Sequence, residues 1–190
     1  NVKTPREAIG VDVCGRLVIS ANGPEGVSLI DAANPNPAPT LSALPTPGDA
    51  SGVFAVGDAV YMCDGSAGVQ VIDAGEPSAP RVVKNLLTAG NARFLAVRDS
   101  VGYVASGTGE AVARIDVSDP FDPVLINFLN SGADRLAVGD SLVVLAQGFN
   151  GVSVYRVSDS GDVEFVVNQG TGNIARDVAL VGDLALVADG

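Results

Sequence analysis

Short apolar stretches of four to seven residues recur along the whole chain, and each is bounded by glycine, aspartate, asparagine, serine or proline. An amphipathic helix would need a helical apolar spacing sustained over about ten residues or more, which these stretches do not show. The longest uninterrupted apolar runs contain about five residues, far fewer than the roughly 20 residues that cross a bilayer as a helix. The pattern therefore predicts many short buried strands joined by tight turns.

A segment of the form apolar strand, Gly-Asp, apolar strand recurs through the sequence. Its best copies are GVFAVGDAVYMCDG from Gly52, DRLAVGDSLVVLAQG from Asp134 and RDVALVGDLALVADG from Arg176. A weaker copy starts at Arg93, and the first copy in the chain starts at Ile9. Each of the first four copies is followed by a second segment such as GVQVIDAGEP and then by a third apolar stretch such as PRVVKNLL. The aspartates of the Gly-Asp turns are spaced 41, 41 and 43 residues apart, and they are Asp58, Asp99, Asp140 and Asp183.

Each repeat unit offers four strand candidates in about 42 residues, joined by turn-forming dipeptides. A period of about 40–45 residues with four strands is the period of a β-propeller blade. We therefore predict one all-β domain, a β-propeller-type array of four-stranded antiparallel blades, with units at 5–48, 49–90, 91–132 and 133–173 and a partial unit at 174–190. Innermost strands are expected to contain Val56, Val97, Val138 and Val181, and third strands Ile30, Ile72, Ile115 and Tyr155.

The residues of the repeat resemble a known family. The strings GVQVID from Gly68, RIDVSDP from Arg114 and ARDVALVGDLALVADG from Ala175 are similar to the LVIVD repeat, found in β-propellers of secreted and surface-anchored bacterial and archaeal proteins. The resemblance extends over essentially the whole chain and implies a β-propeller fold in an exported protein. It implies no particular activity, because the repeated residues are structural. The fourth unit departs from the repeat, with Tyr155-Arg156 in place of Ile-Asp and Ser160 in place of proline.

The charge of the chain narrows the range of partners. The net charge is −11, and only two of the eleven basic residues are lysines. A polyanion would be repelled, and no basic cluster offsets this repulsion. We therefore predict no nucleic-acid partner and no membrane insertion. The acidic, lysine-poor composition favours an extracellular or cell-surface location.

Candidate chemistry is limited by the absence of histidine, the most common general base and neutral metal ligand. We predict no catalytic residue, no cofactor and no metal site, and hence a protein that is not an enzyme. A carboxylate pair acting alone, as in glycosidases, stays open as an alternative. The turn aspartates either form a calcium-attracting rim or simply shape the hairpin turns, and the distance between blades favours the second interpretation. The same structural role is predicted for Asp31, Asp73, Asp116 and Asp119.

The cysteines and the glycine-rich turns give weaker signals. Cys63 occupies a slot for small buried residues, whereas Cys14 is assigned the slot of Gly57 at the opposite end of its hairpin, so we predict no disulfide between them. The glycine-rich pieces at Gly65 and Gly107 lack the lysine of a phosphate-binding loop and are predicted to be turns between second and third strands. Any ligand contacts are expected in the longest of these turns, at 22–25, 108–110 and 149–150.

The fifth copy of the repeat contains only two strands within the sequence. Its second strand, LALVA, carries no charge, proline or bulge to guard an open edge, so we predict that another strand occupies that edge. The opening residues NVKTPREA resemble the end of a fourth strand, which makes the same stretch of a second copy the candidate donor. The residues of this candidate self-assembly edge are Asn1, Val2, Lys3, Thr4, Leu184, Ala185, Leu186, Val187 and Ala188.

Two functions fit these observations. The first is a non-enzymatic extracellular structural or interaction protein that assembles head to tail into a ring or filament. Its partners would be other copies of itself, other surface proteins or glycans. The alternative is a ligand-binding or catalytic propeller domain within a larger secreted or surface-anchored protein. In the first case, deletion of residues 1–7 is expected to abolish assembly while the four blades stay folded.

Overall fold

The computed structural model describes residues 7–33, 38–158, 160–182 and 184–190. Every regular element in these ranges is a β-strand. The described ranges contain no helix that is long and apolar enough to cross a membrane. The strands, numbered in chain order, are β1 (Gly10–Cys14), β2 (Leu17–Ala21), β3 (Val27–Asp31), β4 (Thr40–Leu44), β5 (Gly52–Val56), β6 (Ala59–Cys63), β7 (Val69–Asp73), β8 (Arg81–Leu86), β9 (Phe94–Arg98), β10 (Val101–Ala105), β11 (Val112–Asp116), β12 (Val124–Leu129), β13 (Arg135–Val138), β14 (Leu142–Ala146), β15 (Val152–Val157), β16 (Val163–Gln169), β17 (Ala175–Val181) and β18 (Leu184–Asp189).

The strands form four antiparallel sheets of four strands and one of two strands, each in sequence order. This confirms the predicted propeller-type array of four-stranded units followed by a half unit. The four anchor residues predicted on first strands lie on β5, β9, β13 and β17, and those predicted on third strands lie on β3, β7, β11 and β15. Every complete unit has a β-bulge-like irregularity at the same place: the register between its third and fourth strands shifts at the same position of the third strand. Such bulges bend a strand and increase its twist.

The units converge at their first strands. Successive first strands contact one another, β1 with β5, β5 with β9, β9 with β13 and β13 with β17. Each unit is also tied to the next by an isolated antiparallel bridge between the glycine after its second strand and a buried alanine before or at the start of the next first strand. In the second unit this bridge consists of two reciprocal hydrogen bonds, from Gly65 N to Ala92 O at 3.1 Å and from Ala92 N to Gly65 O at 2.9 Å.

The hydrophobic core lies between the units rather than within any one of them. Four clusters of buried side chains occupy the four spaces between consecutive units. In the complete units the second and third strands are the most completely buried elements, as in β3 and β6, where all five residues are buried, because neighbouring units cover both of their faces. First strands are only half-buried, as the pattern of β5 shows. The fold is therefore an array in which each unit is stabilised by its neighbours.

Candidate functional site

Among the described residues, the last strand of the half unit has a neighbouring strand on one side only. Within the described residues β18 pairs only with β17, from Val181 opposite Leu184 to Ala175 opposite Asp189. The five predicted edge residues 184–188 all lie on β18, and none of them is charged or proline. On the side away from β17 the described residues place no strand, and unpaired backbone groups of this kind are a template for another strand. The predicted donor residues Asn1, Val2, Lys3 and Thr4 lie outside the described residues.

The side chains of β18 have two different environments. We call the side of a unit that packs on the following unit its forward face, and the opposite side its backward face. Ala185 and Val187 pack backward against the fourth unit. Leu186 points forward, in the slot that Ile19, Tyr61, Tyr103 and Val144 fill in units one to four. Those four side chains are at most 2% exposed, whereas Leu186 is 52% exposed.

The first unit presents the complementary surface at the other end of the array. Val11 and Val13 of β1 are exposed, although they occupy the slots through which later units pack backward. The equivalent residues Leu95 and Leu136 are buried against the unit that precedes each of them. The array therefore has an apolar forward face at one end and an apolar backward face at the other.

A cleft opens between the third and fourth units, with a cavity of about 760 Å³. It is lined by the end of β12, by the turn after β14 and by β15 and β16, and none of the described residues that line it is charged. Two connections next to it are short. Three residues, 130–132, separate β12 from the bridging Ala133, whereas five residues stand at this place between the other units. The connection between the third and fourth strands of unit four, 158–162, also lacks the prolines found in its counterparts.

A buried polar residue follows the second strand in each complete unit, and the sequence analysis did not single out this position. Its members in the complete units are Asn22, Asp64, Ser106 and Gln147. Asp64 accepts hydrogen bonds from Thr46 Oγ1 at 2.8 Å and from Gly48 N at 3.0 Å. The same slot in the half unit holds Asp189, which accepts a hydrogen bond from Asn173 N at 2.8 Å. Both aspartates thus fix the linker that leads into their own unit. The signal in the sequence was a polar residue before the bridging glycine of each copy.

The turn aspartates among the described residues lie in hairpin turns and do not share one position in them. Asp58 is the second residue of a two-residue turn after Gly57, whereas Asp99 occupies the first turn position with φ of +53°. Aspartate tolerates this left-handed conformation better than most residues other than glycine. Arg98 forms ion pairs with Asp99 and with Asp140, and Asp183 lies outside the described residues. The described part of the chain contains no group of three or more carboxylate, cysteine or histidine side chains that could hold a metal ion.

The aspartates that end the third strands shape the connection that follows. Asp31, Asp73 and Asp116 each accept a hydrogen bond from the backbone N–H two residues later, at 2.8–3.0 Å. The hydrogen bond from the Gly75 N–H, followed by the one from Arg81, lowers the pKa of Asp73. The pKa of Asp116 is lowered by the Ser118 hydroxyl first and then by the Ser118 N–H. Carboxylates that accept hydrogen bonds within turns match the structural role predicted for them.

The two cysteines are free and lie at opposite ends of their hairpins. Cys63 ends β6 and is fully buried, as expected for a small-residue slot. The predicted register of Cys14 is wrong by one position. Cys14 ends β1 opposite Leu17, so Gly15, with φ of +58°, takes the turn position of Gly57. The cause is the positive φ that this turn demands, which glycine adopts without strain.

The second unit matches a known repeat family. The LVIVD repeat model matches residues 47–88, the range that contains β5 to β8. The chain therefore contains an LVIVD repeat, and the resemblance seen in the sequence is confirmed there. No curated protein matches the chain.

Several solved structures share the fold. A functionally unknown protein from Desulfotomaculum acetoxidans DSM 771 is 15% identical, with a TM-score of 0.76 over 90% of this chain and 58% of that chain. A chain of a mitotic checkpoint complex is 15% identical, with a TM-score of 0.75 over 94% of this chain and 57% of that one. The computationally designed Ika4 protein is 12% identical, with a TM-score of 0.60 over 88% of this chain and 94% of that one. The likenesses support the β-propeller-type fold, and this chain spans little more than half the length of the first two proteins.

Proposed function

We propose that this protein is a non-enzymatic extracellular interaction module that assembles head to tail with other copies of itself. The observation that carries the proposal is the pair of apolar end faces, Leu186 at the half unit and Val11 with Val13 at the first unit. Inside the chain, four interfaces already join a forward face to a backward face. A contact between two copies would repeat that geometry once more.

Strand addition would complete the contact. The open edge of β18 offers backbone hydrogen-bonding groups, each pair of which contributes on the order of 1 kcal/mol when satisfied. Burial of the forward face adds roughly 25 cal/mol for each Å² of apolar surface removed from water. The proposed donor is the stretch Asn1–Thr4 of the next copy. Because donor and acceptor surfaces differ, the contact is heterologous and propagates into a ring or a filament.

The decisive experiment uses two end variants of the 190-residue chain. Leu186→Lys places a charge on the forward face, and Val11→Lys places one on the backward face. Each variant alone should be a monomer by sedimentation, while an equimolar mixture should form a heterodimer, because each variant keeps one intact face. Leu87→Lys, at an exposed leucine outside both faces, is the matched control and should assemble like the parent chain. Deletion of residues 1–7 tests the strand donor separately.

Three results would overturn the proposal. A parent chain that stays a monodisperse monomer at high concentration contradicts self-assembly. Homodimers formed by either end variant contradict the head-to-tail arrangement. Assembly that persists without residues 1–7 contradicts strand donation by that stretch.

The extracellular location and the absence of catalysis belong to the same proposal. The acidic, lysine-poor composition and the LVIVD repeat support the location. The lack of histidine and the engagement of the strand-end aspartates in turns support a non-enzymatic role. Detection of the protein in the medium or on intact cells by an antibody, against a cytoplasmic marker, tests the location.

A second candidate function is a ligand-binding or catalytic propeller domain within a larger secreted or surface-anchored protein. It is favoured by the length of two similar structures, because this chain covers only 57–58% of each of them. In that case further repeat units of the same protein would cover the forward face of the half unit. Mass determination of the protein purified from its source distinguishes the two candidates.

A further inference from the structure

The cleft between the third and fourth units has an uncharged polar lining in a strongly acidic protein. Amide and hydroxyl side chains line it, including Asn130, Ser131, Asn150 and Asn168. No carboxylate, guanidinium or ammonium group of the described residues does, although the chain carries a net charge of −11. Such a lining offers hydrogen bonds without attracting either cations or anions. Its volume of about 760 Å³ falls within the roughly 300–1,000 Å³ of small-molecule sites.

Aromatic rings stand beside these polar groups. Tyr155 and Phe165 pack edge to face, with ring centroids 5.5 Å apart and an interplanar angle of 73°. Phe165 is 53% exposed, and Phe128 across the cleft is also exposed. Exposed rings that line a cavity next to amides are suited to a ligand with both an apolar surface and hydroxyl groups.

The polar groups are held in place by a network among strand residues. Gln147 Oε1 accepts hydrogen bonds from Ser153 Oγ at 2.5 Å and from Asn168 Nδ2 at 3.1 Å, and Gln147 Nε2 donates to Gly132 O at 2.7 Å. This network fixes the Asn168 amide, while no described residue donates to its Oδ1. The hydroxyl of Tyr155, a residue only 6% exposed, also makes no hydrogen bond with the described residues. Neither oxygen is among the buried atoms that lack a partner, so both are open to the cleft and available to a ligand.

The cleft exists where the repeat is broken. The linker 130–132 is two residues shorter than its counterparts, and the connection 158–162 has lost both prolines. In the preceding junction, Tyr61 Oη donates to Pro120 O at 2.8 Å and Lys84 pairs with Asp122, so a proline-containing connection bridges the two units. The shorter connection of unit four is held to unit three in a different way, by a hydrogen bond from Arg114 Nη2 to Gly161 O at 2.8 Å. Features that are needed to join one unit to the next should recur at every junction. The departure at this one junction therefore points to a specific role.

We infer that this cleft binds a neutral saccharide, with the ring of Phe165 against the C–H face of a sugar and Tyr155 and Asn168 as hydrogen-bonding groups to its hydroxyls. The volume accommodates a short oligosaccharide. The site is independent of the proposed self-assembly, because it lies between the third and fourth units and not at either end of the array.

The test uses neutral trisaccharides as probes on the 190-residue chain: maltotriose, cellotriose, mannotriose and tri-N-acetylchitotriose. Saturation-transfer NMR detects binding, and isothermal titration gives Kd. We expect at least one probe to bind at millimolar concentration or below. Phe165→Ala should weaken that probe at least about tenfold, and Tyr155→Phe should weaken it about threefold or more. Lactose and 3′-sialyllactose, which differ by an anionic sugar, test the preference for a neutral ligand.

Phe149→Ala is the matched control, because Phe149 is 85% exposed near the cleft but does not line it. Its Kd should equal that of the parent chain. Circular dichroism of Phe165→Ala confirms that the fold is kept, as expected for an exposed ring. The inference is overturned if no neutral probe binds at millimolar concentration. Equal weakening by Phe149→Ala, tighter binding of 3′-sialyllactose, or binding of unstructured peptides in place of saccharides would also overturn it.

Discussion

Replacement of Asp64 by serine gives the sharpest test of how the linkers are held. Asp64 is fully buried, and its carboxylate accepts hydrogen bonds from Thr46 Oγ1 and Gly48 N. The next unit shows what the substitution would produce. There the equivalent pair is Thr88 and Ser106, and neither hydroxyl has a hydrogen-bond partner in the described part of the chain.

The expected cost follows from the two lost bonds. A hydrogen bond to a charged group contributes about 1.5–3 kcal/mol, and buried donors left without partners cost a similar amount. Thr46 and Gly48 are only partly buried, so water recovers part of the loss. We expect Asp64→Ser to lower the free energy of unfolding by about 3 kcal/mol, which corresponds to a fall in Tm of about 6–12 °C for a chain of this size.

Calorimetry and urea unfolding of Asp64→Ser and Ser106→Ala provide the assay. Ser106→Ala is the matched control, because it removes a hydroxyl without a partner from the same slot and should change the stability by less than about 0.5 kcal/mol. The reverse change, Ser106→Asp, should stabilise the protein by about 1 kcal/mol through Thr88 and Gly90 N. The gain is limited because Glu110 lies beside Gly90. If Asp64→Ser costs no more than Ser106→Ala, the linker argument is wrong.

Three further outcomes are expected. A thiol reagent should modify half-buried Cys14 in the native protein and Cys63 only after unfolding, because burial raises the pKa of Cys63. Since both cysteines are free, a reductant should leave the unfolding midpoint unchanged. Burial, and to a lesser extent Asp119, raises the pKa of Tyr61 from 10.0 to about 12. The stability that this group contributes is therefore complete below pH 10 and lost between pH 10 and 12, so Tyr61→Phe should flatten that decline in urea titrations. Self-association should strengthen with ionic strength in sedimentation runs, because each copy carries a charge of −11; weakening by salt would contradict apolar end faces.

The array itself was predictable because its units are alike. The spacing of Ile30, Ile72 and Ile115 reports a common third strand, and the structure places all three in the buried core. Apolar runs between turn dipeptides define strands without any knowledge of tertiary contacts. The half unit was equally visible, since two strands of a four-stranded pattern can be counted directly. Local chemistry and period were sufficient for these features.

Features that depend on contacts between units escaped the sequence analysis. The assignment of Leu186 to the forward face requires the register of β17 and β18 and the alternation of clusters on each side of a unit. The sequence allowed two alignments of the first hairpin turn, with either Cys14 or Gly15 in the position of Gly57. The structure shows that Gly15 takes this position, because the turn requires a residue with a positive φ there. The cleft lies beside a linker that is two residues shorter than its counterparts and a connection that lacks their prolines, and the spatial effect of such changes depends on residues of the neighbouring unit.

The interfaces inside the chain also indicate what kind of surface suits the exposed forward face. Tyrosines at the forward slot, as at Tyr61, pack against a backward face that includes a leucine, Leu95. An aliphatic residue there, as at Ile19, packs with Val53 and Ala55. Leu186 is aliphatic, and the backward face of the first unit offers Val11 and Val13, so the aliphatic pairing is the one a second copy would reproduce. Core packing tolerates exchanges of similar volume far better than added bulk. A tyrosine introduced at position 186 would therefore fit this partner less well than leucine does, although tyrosine fills the same slot in two units of the same chain.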